Sequence, residues 1–511
     1  MNLSDIKSLD SQYFLQVFGE RAPVCFVRGE GATLYDQDGK AYVDLFAGIA
    51  VNSLGYNHPA VTDAIIAQAQ SGVLHTSNLY YPAPCATLAQ LLCNKTGMSK
   101  VFFSNSGAES NECAIKVARK YSAQKKGEGC YTIITLLSSF HGRTLTTLAA
   151  TGQDHFHKDF QPLTPGFAHV EANNIEALTE AVNTLNPAGI MLECVQGEGG
   201  VNPLTAEFIL AAEKLAKDND IPLIIDEVQT GNGRTGKLYG YMNFKIQPDI
   251  VSTAKGLGGG LPIGACMMNE KMESVLGYGD HGSTYGGNPV CCAGAISVIE
   301  RLDDAFLGGV KRRSGYIMAS LYGAPGVEGV SGLGLMIGVK TTRPAREIVM
   351  QCLENGVLFL TAKDRVRLLP ALNIPEEVLM EAAEIIKSVK DTIKRIDESI
   401  LNGEDDIKYT HTIYLNFKTT INSRLMEENF KTLYEHFSGR LFMWNTKASA
   451  CLCNILAEIS QITVDKMLAY TKLSETPEIP QNLKTAIAYI NRNYSSPISL
   501  DDLSKYCKVS K

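Results

Sequence analysis

The 511-residue chain has a single tryptophan, no Cys-x-x-Cys pair, and no apolar run approaching the roughly 20 residues that span a bilayer. The last absence argues against a membrane protein. The second, with an odd total of 13 cysteines whose nearest groupings are Cys291-Cys292 and Cys451-Leu-Cys453, argues against a structural zinc site or a disulfide framework. The amino end, MNLSDIKSLDSQYF, lacks the basic-then-apolar layout of a signal peptide. A cytoplasmic protein with reduced thiols is expected. Positive charge is also scarce: 47 basic against 54 acidic residues leave a net charge of −7, so no global field draws the chain to nucleic acid or anionic membrane. No glycine run has the G-x-G-x-x-G spacing of a dinucleotide fold. Gly231-Asn-Gly-Arg-Thr-Gly-Lys237 has the glycine and lysine spacing of a phosphate-binding loop, but Leu238 stands where Ser or Thr would hold magnesium. His155-Phe-His157 has no evident third ligand, and no metal is expected.

Apolar residues, at 45%, are ample for large cores. Between about residues 100 and 290, short apolar runs such as Val101-Phe-Phe103, Tyr131 to Leu137, Gly189 to Leu192 and Ile221 to Ile225 alternate with helix-like segments. That pattern predicts an α/β domain around a largely parallel sheet. The predicted organisation is a large domain over 61–300, and a smaller α+β lobe built from both ends, 1–60 and 301–403. From Glu376 the residues Leu379, Ala382, Ile386, Val389, Ile393, Ile396 and Ile400 recur at helical spacing, and Asn402-Gly403 gives a stop. Residues 404–511 form a linker and a mainly helical appendage of different character.

Lys255 stands in Val251-Ser-Thr-Ala-Lys-Gly-Leu-Gly-Gly-Gly-Leu-Pro262, between an apolar approach and a run of glycines. Taken alone it reads as a solvated loop lysine or as a lysine held against a planar cofactor aldehyde. Ile221-Pro-Leu-Ile-Ile-Asp226 is a buried strand ending in an acid, which puts Asp226 at the carboxyl edge where open α/β sheets bind ligands. Val101-Phe-Phe-Ser-Asn-Ser-Gly-Ala-Glu109 reads as strand, small-residue turn and helix start, so the N–H groups of Gly107 and Ala108 suit a phosphate. Thr284, among glycines in Gly282-Ser-Thr-Tyr-Gly-Gly-Asn-Pro289, offers a hydroxyl. In Ser139-Phe-His-Gly-Arg-Thr144, Phe140 suits a flat ring and Arg143 suits a carboxylate.

Together with Gln196-Gly-Glu-Gly-Gly200, Asp226-Glu-Val-Gln-Thr-Gly231 and Arg367-Leu-Leu-Pro370, these motifs resemble the class III, pyridoxal-phosphate-dependent aminotransferases over about residues 10–400. The resemblance implies the fold type I architecture, pyridoxal 5'-phosphate (PLP) as cofactor, and a homodimer with shared active sites. It implies that Lys255 bonds the cofactor aldehyde and shuttles a proton, that Asp226 pairs with the ring nitrogen, that Phe140 stacks on the ring and that Gln229 meets its phenolic oxygen. Gly107, Ala108 and Thr284 of the partner subunit would hold the phosphate. Arg143 would bind the distant substrate carboxylate. Arg367 would bind the α-carboxylate of glutamate or 2-oxoglutarate, with Glu198 covering it while an ω-amine donor is bound. Within the family the likeness is greatest to enzymes acting on N-acetylornithine, with Asn78 and Tyr80, in Thr76-Ser-Asn-Leu-Tyr-Tyr81, as pocket residues. N-succinylornithine, succinyldiaminopimelate, ornithine and 4-aminobutyrate are alternative donors. Three positions depart from the family's usual pattern: Tyr56, Cys194 and Ser331.

The segment Asn482 to Leu503 resembles the start of an AraC-type helix-turn-helix domain, with Leu483, Ile487 and Ile490 on one face and Ser499-Leu-Asp-Asp502 as a capping box. A transcriptional regulator with an aminotransferase-like sensor domain is therefore the second reading. The chain stops about where the recognition helix should begin, and basic and acidic residues are nearly balanced in the appendage. No functional DNA binding is expected, and a joined or truncated reading frame would explain the fragment.

Overall fold

Three main sheets organise the residues that the computed structural model describes, 1–386. The second half of the helical repeat begun at Glu376, and the whole appendage with its helix-turn-helix reading, lie outside the described residues. The large sheet has seven strands in the order Lys100–Ser104, Gly264–Met268, Ile250–Thr253, Leu223–Asp226, Gly189–Leu192, Ile133–Leu136 and Phe167–Val170. Gly264–Met268 alone runs against the others. All four residues of each of the four strands from Ile250–Thr253 to Ile133–Leu136 are buried. That is why these segments read as unbroken apolar runs: helices cover both faces of such a sheet and leave no polar side to alternate with.

The longest described helix, Gly107–Lys126, shows how local chemistry and packing agree. The Ser106 hydroxyl caps it by accepting from the Glu109 amide at 3.2 Å, Glu109 lies in the first turn, and Lys125 and Lys126 close the last. Ser110, Ala114, Val117, Ala118 and Tyr121 recur at helical spacing and are buried, and the helix packs on the strands Gly264–Met268 and Ile250–Thr253.

The remaining sheets join distant parts of the chain. Phe26–Glu30, Thr33–Asp36 and Ala41–Asp44 pair in sequence, and Val357–Leu358 adds in parallel beside Ala41–Asp44. The other four-stranded sheet runs Val327–Leu333, Met336–Thr341, Arg365–Leu368, Leu360–Ala362. Two of the unusual positions have clear local roles. Tyr56 donates to Asp44 Oδ2 at 2.6 Å, while Asp44 Oδ1 accepts from the amides of Phe46 and Ala47. Ser331 donates to the Val201 carbonyl at 2.7 Å and accepts from Arg365. The loop with phosphate-loop spacing is a strut: buried Arg234 donates to the carbonyls of Leu335 and Pro370.

Candidate active site

Strand register assembles the site. Ile225 lies opposite Leu192, and Asp226 opposite Ser252, so the carboxyl ends of three adjacent parallel strands bring Glu193, Asp226 and the residues after Thr253 to one edge. The next strand, Ile133–Leu136, leads into Ser139 to Thr144. A cavity of about 450 Å³ opens there, lined among others by Gly107, Ala108, Phe140, Arg143, Glu193, Glu198, Asp226, Gln229 and Lys255. This is where ligands of open α/β sheets bind.

Asp226 is 3% exposed and held on both oxygens. Oδ1 accepts from the Val228 amide at 3.0 Å, and Oδ2 receives Asn111 Nδ2 and His141 Nδ1, each at 2.8 Å. Burial would lower the His141 imidazole, but the hydrogen bond and charge of Asp226 hold it above its ordinary value. Asp226 thus faces the cavity as a fixed carboxylate backed by an imidazole. Sequence reasoning missed both supports, although His141 lies inside the Phe140 to Thr144 motif and Asn111 one turn into the helix that begins at Gly107.

Lys255 opens the turn after Ile250–Thr253 with φ of 43°, in the left-handed region that a side-chain-bearing residue seldom adopts. Its amine makes no hydrogen bond or ion pair among the described residues. Burial and then the nearby Arg367 guanidinium lower its pKa from the ordinary lysine value, against the carboxylates of Asp226, Glu193 and Glu198. An amine whose neutral form is favoured at a cavity wall suits attack on an aldehyde. The glycines beside it answer to packing: a Cβ on Gly256 would lie 2.4 Å from Ser53 Oγ.

At the opposite corner, the amides of Gly107 and Ala108 begin the long helix and line the cavity. A Cβ on Gly107 would meet Val228 Cγ1 at 2.6 Å, so only glycine fits this floor. Thr284 is exposed and does not line the cavity of its own chain. Phe140 lines it, and its amide donates to Glu193 Oε2 at 2.9 Å. Glu193, a third residue that sequence reasoning missed, is 7% exposed, and burial raises its carboxyl to about 7.

Two arginines mark the substrate end. Arg143 is exposed at the rim and stacks over Phe156. Arg367 comes from Arg365–Leu368, opposite Gly338. It is 3% exposed, with Nη2 3.2 Å from Glu198 Oε2, Nη1 3.5 Å from Gln229 Oε1, and Nε buried without a partner among the described residues. Burial lowers the guanidinium pKa and Glu198 opposes that shift. Glu198 lies in the turn between Val195–Gln196 and Asn202–Pro203.

Asn78 and Tyr80 are not brought to this cavity. The Asn78 amide donates to the carbonyls of Ser283 and Gly286, at 3.0 and 3.1 Å, and Tyr80 is 72% exposed. Their own chain uses Asn78 to tie two loops together and leaves Tyr80 in solvent. Among the described residues no helix is long and apolar enough to cross a membrane, and no group of three or more His, Cys, Asp or Glu is placed to hold a metal ion.

A lysine of lowered pKa, a clamped carboxylate, a helix start and an aromatic ring around one cavity form the donor set that a phosphorylated pyridine aldehyde requires. Residues 16–389 match the family Aminotransferase class-III, and the chain belongs to that family. It is 47% identical over 391 residues to the acetylornithine aminotransferase of Haemophilus ducreyi, covering 76% of this chain and 99% of that protein. It is 42% identical over 387 residues to the succinylornithine transaminase of Citrobacter koseri, covering 74% and 95%. A solved ornithine aminotransferase from Toxoplasma gondii, with partial occupancy of PLP at its active site, matches with a TM-score of 0.72 at 32% identity, over 76% of this chain and 94% of that one. The family match ends at residue 389, so the AraC-type reading of the appendage rests on its sequence alone.

Proposed function

We propose that the chain is a PLP-dependent ω-aminotransferase that moves the terminal amine of N-acetylornithine to 2-oxoglutarate, giving N-acetylglutamate semialdehyde and glutamate, a step of arginine biosynthesis. The observation that carries this reading is the ion pair of Arg367 with Glu198 at the cavity that holds Lys255. An ω-amine donor has no carboxylate beside its reacting carbon, whereas 2-oxoglutarate has one. A guanidinium that can exchange an internal carboxylate for a substrate carboxylate serves both ligands in one site. The identity to acetylornithine aminotransferase over nearly all of that protein's length supports the donor.

PLP, when bound, supplies an aldehyde for the amine and a ring that takes up the electron pair released at the reacting carbon. The chain supplies the rest. Lys255 Nζ would move the proton at that carbon, while Asp226, fixed by His141 and Asn111, would hold the proton on the ring nitrogen. Gly107 and Ala108 would hold the phosphate, Phe140 would cover the ring, and Gln229 would meet the phenolic oxygen. Arg143 binds the distant carboxylate in both half-reactions. Arg367 binds the α-carboxylate of 2-oxoglutarate once Glu198 turns away. The exposure of Thr284 on its own chain agrees with a homodimer in which the partner subunit's Thr284 completes the phosphate site. A cytoplasmic location is part of the same reading.

The succinylornithine transaminase likeness favours one second reading, the same chemistry on N-succinylornithine. The test is glutamate formation from 2-oxoglutarate with N-acetylornithine, N-succinylornithine, ornithine or 4-aminobutyrate as donor. The highest kcat/KM is expected with N-acetylornithine. Failure of every donor would sink the aminotransferase reading and favour the sensor-domain alternative; preference for N-succinylornithine would move the assignment to that acyl group.

A further inference from the structure

His155-Phe-His157 takes no part in the chemistry above, yet its aromatic ring lies beneath Arg143. The guanidinium carbon of Arg143 is 3.8 Å from the centroid of Phe156 and 5.4 Å from that of Phe140. Arg143 makes no hydrogen bond or ion pair among the described residues. Its planar donors are therefore free for a ligand, and the two rings set their position.

Phe156 is itself well held. Its ring meets Phe140 edge-on, with centroids 5.8 Å apart and planes at 75°, and His155 packs on it at 3.8 Å. Its amide donates to the Gln153 carbonyl at 3.0 Å, and Gln153 Nε2 donates to the Ser139 carbonyl at 3.0 Å. One residue on, buried His157 places Nε2 2.9 Å from the Leu148 carbonyl and 2.8 Å from that of Thr151. Both are acceptors, so Nε2 carries the proton and fastens the short helix Asp154–His157 beneath Arg143. A free arginine loses much rotational freedom on binding a carboxylate; one already seated over an aromatic face loses less.

We propose that Phe156 is a positioning residue that holds the Arg143 guanidinium over its ring and thereby sets affinity for the distant carboxylate of both substrates. This deepens the proposed function, since it rests on Arg143 as the carboxylate receptor. It differs from the role of Arg367, which concerns one substrate of the pair.

Phe156→Leu, and Phe156→Met as a variant of closer volume without a π face, are compared with Phe156→Tyr in the full-length PLP-loaded protein. KM for donor and for 2-oxoglutarate should rise together by roughly 3- to 10-fold, the size of one lost cation–π contact, with kcat and visible absorbance little changed. Phe156→Tyr should restore both KM values. Calorimetric Kd for glutarate, an unreactive dicarboxylate, should weaken by the same factor, and this reading does not require turnover. On an Arg143→Ala background the Phe156 substitutions should add nothing. The proposal is overturned by unchanged glutarate affinity, by a rise confined to one substrate, by loss of kcat with altered absorbance, or by a full Phe156 effect without Arg143. Wild-type protein that binds glutarate through this pair but does not transaminate would count against the proposed function alone.

Discussion

Replacing Glu198 by alanine leaves the Arg367 guanidinium without its carboxylate, and the structure bounds what that costs. Among the described residues, Arg367 is 3% exposed, Nε already lacks a partner, and the remaining polar contact is Gln229 Oε1 at 3.5 Å. Removing one member of a fully buried ion pair costs about 3–5 kcal/mol. The Glu198 side chain keeps 38% of its exposure, so water screens part of the loss, and about 1–2 kcal/mol is the appropriate range. With an ω-amine donor bound, nothing replaces the missing charge, and kcat/KM for N-acetylornithine should fall by roughly 5- to 30-fold. With glutamate the sign reverses. The wild type must first separate the 3.2 Å pair, whereas the variant offers Arg367 at once. The glutamate half-reaction should therefore be unchanged or several-fold faster. Single-turnover half-reactions, followed by cofactor absorbance, give the two rates separately. A ratio of glutamate to N-acetylornithine reactivity within twofold of wild type, or a shift toward N-acetylornithine, would refute the exchange of carboxylates at Arg367.

Lys255→Ala should fold and bind some PLP but show neither the wild-type absorbance shift nor turnover; normal turnover would remove Lys255 from the mechanism. Because burial and Arg367 lower the lysine pKa, the neutral amine predominates above a depressed midpoint, so the rate of covalent PLP attachment to cofactor-free protein should rise with pH and level off below the ordinary value of 10.5. Arg367→Ala should move that midpoint upward, and a midpoint unmoved or lowered would show that the arginine does not govern it. Tyr56→Phe removes the 2.6 Å bond to Asp44 and should cost about 1–2 kcal/mol, read as a lower Tm with an unchanged glutarate Kd; an unchanged Tm would refute it. A chain ending at Gly403 should keep dimerisation and transamination, and loss of either would give the appendage a role in the enzyme.

How much of this was legible in the sequence depends on the distance over which each feature is encoded. Asp226 was legible because a buried apolar run ending in an acid specifies both the strand and its edge. The helix start at Gly107 was legible because its cap, first turn and glycine are contiguous. The antiparallel strand Gly264–Met268 was not, since a fully buried strand carries no alternation that distinguishes direction. Nor was the support of Asp226 by His141 and Asn111, whose bonds span 85 and 115 residues of chain. Asn78 and Tyr80 were chosen from a local motif, but loop-to-loop hydrogen bonds decide where Asn78 points. Arg143 suits a carboxylate fork from its residue type, while the ring proposed to position it is 13 residues away, beyond the helix Leu145–Ala150.

These long-range pairings bear on a cost the motifs conceal. The cavity gathers Lys255 and Arg143 with Asp226, Glu193 and Glu198, and Glu198 brings Arg367 to its edge; where these groups are buried, an unpaired charge is expensive. Each charge is compensated in a different way. Asp226 has an imidazole and an amide, Arg367 has Glu198, and Arg143 has an aromatic face and access to solvent. Burial drives Lys255 toward its neutral form, and raises Glu193 to about 7, where it can take up a proton instead of repelling Asp226 across adjacent strands. The groups proposed to move protons or exchange partners are those left weakly bonded, and the one proposed to hold a constant charge is bonded on every side. Folding therefore fixes Asp226 and leaves the Lys255 amine without a hydrogen bond among the described residues, and the proposed exchange at the Glu198–Arg367 pair would complete the division of labour that a two-substrate amine transfer requires.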